Sequence, residues 1–67
     1  MTDRIKLTIK KHGRPTCIKA ITEHESGDGA RTVGERYGYS GRDALIWGDR
    51  LIDSGRYLVE KIFGNNN

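Results

Sequence analysis

Apolar and polar residues alternate at the start of the chain. Over residues 4–11, Ile5, Leu7 and Ile9 fall on one parity and Lys6, Thr8 and Lys10 on the other. That is the period of a strand with one buried face. His12-Gly13-Arg14-Pro15 follows, and a glycine there suits the positive φ of a tight hairpin turn. Pro15 has no N–H and belongs at the start or edge of a second strand. That strand, residues 16–23, has mixed parity: Ile18 and Ala20 share one face, Cys17 and Ile21 the other. A bulge, or two partly covered faces, would reconcile them. Ser26-Gly27-Asp28-Gly29 reads as a loop.

The period changes after Ser40. On a helical wheel of residues 43–54, Trp47, Leu51, Ala44, Gly48, Ile52 and Leu45 fill an arc of about 160°. Arg42, Asp49, Asp53 and Arg50 lie opposite. Ser40 and Asp43 resemble a capping box, with Asp in place of the usual Glu or Gln. Gly55 fits the left-handed position that ends a helix. Gly48 costs roughly 1 kcal/mol of helix propensity, a cost explained if the helix closely approaches a sheet or another helix. Residues 56–63 read as a last strand, with Tyr57, Val59 and Phe63 on one face and Leu58 and Ile62 on the other. Apolar groups on both faces place it centrally or at an interface, and a homodimer through this strand is compatible with the pattern. Residues 64–67 are expected to form a frayed tail.

Residues 30–39 decide the architecture. As a strand they line Val33, Glu35, Tyr37 and Tyr39 on one face, and Gly34 and Gly38 disfavour a helix. The order is then β-β-β-α-β, an α+β fold with one helix packed on a small antiparallel sheet, and this is the preferred reading. As a helix, Thr32 and Glu35 form a capping box and Val33 and Tyr37 an i,i+4 pair. About half the chain then resembles the helix-turn-helix family. Val33, Tyr37, Tyr39, Ala44 and Trp47 stand at its five hydrophobic positions, Gly34 at its small residue and Gly38 at its turn glycine. The run from Gly38-x-Ser40 through Leu51 to Gly55, with a strand following, looks like the winged variant. The resemblance implies a β-hairpin plus helix-turn-helix with a C-terminal strand, acting as a DNA-binding transcriptional regulator. Arg42 would enter the groove, while Arg31, Arg36 and the hairpin lysines would hold phosphates. Two features depart from the family. Two strands replace its additional core helix, and the second helix carries a net negative charge, which opposes a phosphate-lined groove.

Composition narrows the choices further. Sixty-seven residues allow one domain with a small core. Ile, Leu, Val and Phe make up about a fifth of the chain, close to the level of roughly 20% below which disorder is the default. The lone Cys17 excludes an internal disulfide and a multi-cysteine zinc site. The longest apolar run, Ala44 to Trp47, is too short for a membrane span, so a cytoplasmic protein without membrane association is expected. No catalytic constellation is assembled. Cys17 lies in an expected strand with nothing to activate it, His24 sits between Glu23 and Glu25, and no ligand pair has a recognised metal spacing. The chain is therefore read as non-enzymatic, with no cofactor and no metal.

Charge points to binding. Residues 1–22 hold six cations against one acid, whereas residues 23–67 hold six against eight. Lys6, Lys10, Lys11, Arg14 and Lys19 are the expected contacts to nucleic acid or to an acidic surface of a macromolecular partner. Ile46 joins them because it falls on the charged side of its helix. In size, element order and absence of catalytic residues the chain resembles small inhibitors and regulators of phages and mobile elements, including anti-CRISPR proteins. The resemblance implies a binding protein that acts stoichiometrically on a nucleic-acid-handling complex.

Overall fold

The computed structural model describes residues 3–64. Helix α1, Asp3–His12, turns the N-terminal alternation into a different face. Ile5, Thr8, Ile9 and His12 follow i, i+3, i+4, i+7 spacing and face inward. Thr8 is only 1% exposed, and its Oγ1 donates to the Arg4 carbonyl at 2.8 Å. Leu7, inward-facing in the strand reading, is 63% exposed. The period-2 signal failed because two polar residues, Thr8 and His12, complete the helical face and one apolar residue lies off it.

Gly13, with φ of 88°, separates α1 from helix α2, Arg14–Glu25. Pro15 stands in its first turn, where a missing N–H breaks no helical bond. Cys17, Ala20 and Ile21 are buried. Their mixed parity is the 3.6-residue period, and no bulge exists. His12-Gly13-Arg14-Pro15 is thus a helix–helix junction in place of a hairpin.

Helix α3, Ala30–Arg36, and helix α4, Gly41–Phe63, complete the order. Two backbone bonds close α3: Tyr39 N–H donates to the Gly34 carbonyl at 3.1 Å and Gly38 N–H to the Glu35 carbonyl at 3.1 Å. These are the paired bonds of a Schellman end, whose left-handed residue is Gly38 at φ 100°. Ser40 then enters α4 with extended backbone but makes no side-chain cap bond, so the expected capping box with Asp43 does not form.

The buried seam of α4 runs through Ala44, Gly48, Leu51, Gly55 and Leu58, spaced four and three residues apart. It passes straight through Gly55. That glycine was expected to stop the helix, and residues 56–63 to form a strand. Gly55 is instead a contact point, since a Cβ there would overlap the Cys17 carbonyl oxygen and stand 2.9 Å from Ile21 Cβ. Gly34 and Gly48 play the same part between α3 and α4. A Cβ on Gly34 would lie 2.6 Å from the carbonyl carbon of Ala44, and one on Gly48 2.6 Å from that of Ala30. Glycine is required because backbone meets backbone.

The core is Cys17, Ala20, Ile21, Val33, Leu51, Ile52 and Leu58, with Ile9, Tyr37 and Tyr57 packed against it. All of it gathers around α4, which is about 34 Å long at 1.5 Å per residue in a molecule 39 Å in its longest dimension. Among the described residues there is no strand. The expected α+β sheet is absent, as are the hairpin and C-terminal strand of the alternative. The strand through which a homodimer was envisaged is the last two turns of α4. Of the expected tail only Gly64 is described, as the C-cap of α4; residues 65–67 lie outside the described residues. No described helix is long and apolar enough to cross a membrane.

Candidate functional site

Three surface features carry the chemistry. The first is the unit formed by α3, the Gly38 turn and α4. Its two helices touch through backbone at Gly34 and Ala44, with Val33 and Ala44 fully buried beneath them. On the outer face of the first turns of α4 stand Arg42, Leu45, Ile46 and Asp49, all exposed. Leu45 is 50% exposed and Ile46 37%, so Ile46 does have the solvent-facing position expected of it. Leu45 had been placed in the apolar arc. It lies at the edge of that arc and is half exposed.

Arg31 is exposed on α3. Arg36 is committed elsewhere. Its Nη1 lies 2.8 Å from Asp28 Oδ2 and 3.0 Å from Glu23 Oε1. Hydrogen bonding to Asp28 and then Glu23 holds the guanidinium still more firmly charged than usual. Tyr37 Oη donates to the same Glu23 carboxylate at 3.3 Å. Arg36 therefore ties the end of α3 to the end of α2 and to the loop, and as placed it is no free phosphate contact.

The second feature gathers the N-terminal cations. Lys6 and Lys10 from α1, Arg14 from α2 and Lys61 from α4 surround a half-open groove of about 440 Å³. Its apolar floor includes Ile9, Leu58 and Ile62. Three of the five expected basic contacts thus meet. Lys19 is exposed on α2 and does not line the groove. Lys11 faces the other way along α1, with its Nζ 5.2 Å from the Trp47 ring centroid. Lys61 was overlooked because it belonged to an expected strand. The i, i+4 spacing of Lys6 and Lys10 is the signal that a helical reading of the N-terminus would have used; Arg14 joins them across the Gly13 junction.

The third feature is an aromatic stack at the turn. Tyr39 and Trp47 are parallel, 5.0 Å apart with planes at 4°. His12 packs edge-on to Trp47 at 5.7 Å, and its Nε2 is hydrogen-bonded to Tyr39 Oη at 2.7 Å. Arg50 Cζ lies 5.0 Å from the Trp47 ring, so Lys11 and Arg50 both make cation–π contacts with it. Burial, with the Lys11 ammonium alongside, holds His12 below its ordinary pKa. Burial, then Asp43, pushes the Tyr39 hydroxyl up. The stack pins the end of α1 to the α3–α4 turn. Sequence reasoning assigned Tyr39 and Trp47 to a hydrophobic pattern but had no means of bringing His12 to them.

Nothing in these features assembles a nucleophile with a base. Cys17 is fully buried, and burial pushes its thiol pKa up, away from the reactive thiolate. His24 is occupied through Nδ1, 2.9 Å from the Asp28 carbonyl. No group of three or more metal-ligating side chains occurs among the described residues. Compared with protein-family models, curated proteins and solved structures, the chain matches none of them.

Proposed function

We propose that this chain is a small helix-turn-helix DNA-binding regulator, in which α3 supports α4 and the first turns of α4 enter the major groove. The observation that carries the reading is the backbone contact between Gly34 and Ala44, closed by the left-handed Gly38. The resemblance puts a small residue at Gly34, a turn glycine at Gly38 and a hydrophobe at Ala44. The two helices that precede α3 also supply the additional core element that an N-terminal hairpin would have lacked.

Arg42 is the base-reading cation, suited to a guanine edge. Leu45 and Ile46 supply apolar contact for thymine methyl groups, and Asp49 can accept from a cytosine amine. Arg31 holds backbone phosphate. The acids Asp49, Asp53 and Glu60 on the outer face of α4 limit the number of phosphate contacts, so affinity should fall only gently with salt. A protein-directed stoichiometric inhibitor, the reading drawn from size, element order and absence of catalytic residues, loses the β-β-β-α-β element order among its supports.

The test is selection from a random duplex library, followed by fluorescence anisotropy on the selected site. Arg42→Ala should weaken that site by on the order of tenfold to a hundredfold while leaving non-specific duplex binding nearly unchanged. With Arg31 the one assigned phosphate contact, log K should fall with log salt at a slope near about −1. Absence of any sequence preference, or indifference to Arg42→Ala, would sink the proposal.

A further inference from the structure

The groove at the α1–α2 junction combines two properties that a solvated lysine face lacks. Its rim is Lys6, Lys10, Arg14 and Lys61, with no carboxylate among the described residues lining it. None of these four makes an ion pair among the described residues. Its lining is otherwise apolar or aromatic, with Ile62 55% exposed. Four like charges around one opening repel each other, and an anionic counterpart relieves that repulsion. The apolar floor gains only from apolar cover. A single occupant that satisfies both carries carboxylates on either side of an apolar stripe.

Duplex DNA meets only half of this requirement, because it offers charge but no apolar surface at the backbone. The groove also lies far from the DNA-reading turns. Arg42 and Lys61 are nineteen residues apart on one helix, about 28 Å at 1.5 Å per residue. A small enclosed ligand fits poorly as well, since specific small-molecule sites bury most of their ligand and this groove is half-open. Lys6 and Lys10 stand one helical turn apart on α1, matching acidic residues one turn apart on a facing helix.

We propose that the groove docks an acidic amphipathic helix of a partner protein. The partner's apolar stripe covers Ile9, Leu58 and Ile62, and Asp or Glu on its flanks meets Lys6, Lys10 and Lys61. This surface is separate from the DNA-reading face, so a regulator could hold both ligands together.

The probe is a synthetic helix of roughly 16 residues with Leu at i, i+3, i+4 and i+7 and Glu on both flanks. Comparison ligands are the same peptide with every Glu replaced by Gln, polyglutamate of equal length, and a short duplex. Binding to the full chain is followed by titration calorimetry and by backbone chemical shifts. The Glu peptide should bind one to one, shift Ile9, Tyr57 and Ile62, and bind on the order of tenfold tighter than the Gln peptide. Lys6→Glu with Lys10→Glu should erase that advantage. Ile62→Ser should weaken the Glu peptide several-fold, roughly the loss of one apolar side chain from cover. All three residues are exposed, and unchanged Trp47 fluorescence would show that the variants fold. Should the double reversal fail to fold, Lys6→Gln with Lys10→Gln should still reduce the advantage. Equal affinity for Glu and Gln peptides, equal binding of polyglutamate, or shifts centred on Arg42 and Ile46 would each overturn the proposal. So would complete displacement of the peptide by the duplex.

Discussion

Gly34 is the most sensitive position in the reasoning, because two opposing effects act there and their magnitudes differ. On helix propensity alone, Gly34→Ala should stabilise α3 by about 1 kcal/mol. Against this, the new Cβ would stand 2.6 Å from the carbonyl carbon and 2.7 Å from the Cα of Ala44, and would overlap the Ala44 carbonyl oxygen. Ordinary carbon contacts are about 3.5–4.0 Å, so α3 and α4 must part by roughly 1 Å. A gap of that size forfeits about a quarter to a half of the dispersion attraction across the opened layer, which holds the fully buried Val33, Ala44 and Leu51. Overpacking of this kind costs typically 1–3 kcal/mol, and backbone cannot rotate away as a side chain can. Backbone against backbone puts the cost at the upper end of that range, about 3 kcal/mol, and subtracting the propensity gain of about 1 kcal/mol leaves a net loss of about 2 kcal/mol. A domain of this size loses about 4–8 °C of melting temperature per kcal/mol, so the midpoint should fall by roughly 10–15 °C. Urea unfolding followed by far-ultraviolet circular dichroism and by the single tryptophan, Trp47, measures it. Arg31→Ala is the control, since Arg31 is exposed on the same helix, and it should change stability by no more than about 0.5 kcal/mol. If Gly34→Ala proves as stable as the parent or more so, the close approach of α3 and α4 is refuted, and with it the geometric basis of the DNA-reading unit.

Ser54 and His12 supply two further expectations. Ser54 Oγ is buried with no hydrogen-bond partner among the described residues, and a buried unsatisfied hydroxyl costs about 1–3 kcal/mol. Ser54→Ala should therefore raise the urea midpoint, and a clear loss of stability would show that the hydroxyl is satisfied. His12 has its folded pKa held below the ordinary value of 6.5 by burial and by Lys11, so the unfolded chain binds the proton more readily. Its contribution is complete above pH 6.5 and is lost as the pH falls below that value towards the folded pKa. The parent should thus lose stability between pH 7.5 and 5 more steeply than His12→Gln, and parallel pH profiles would refute the assignment.

How much was legible before any coordinates depended on what each residue type can signal. The apolar arc of residues 43–54 was readable because Trp47, Leu51 and Ile52 repeat at the helical period within one continuous element, and α4 carries that arc. Gly38 was a turn glycine only in the helical alternative for residues 30–39, and it takes that part because only a residue without a Cβ adopts its left-handed backbone cheaply. The loop at Ser26-Gly27-Asp28-Gly29 was plain, since α2 ends at Glu25 and α3 begins at Ala30. The gathering of positive charge in the first 22 residues is likewise a property of the chain as written.

Other features belong to the packed molecule. Ile5, Leu7 and Ile9 satisfy a strand locally, and only the burial of Thr8 against neighbouring helices shows which side of the segment is inside. Cys17, Ile18, Ala20 and Ile21 appeared contradictory at period 2 because their true neighbours lie three and four residues away. Gly34, Gly48 and Gly55 count against helix in every local scale, yet each sits in a helix because another backbone passes within van der Waals reach. Propensity registers the cost of a glycine in isolation. The gain from letting two helix backbones touch exists only once both helices are in place, and it outweighs that cost here. The meeting of Lys61 with Lys6, Lys10 and Arg14, and of His12 with Tyr39 and Trp47, follows from the same packing and could not be inferred from order along the chain.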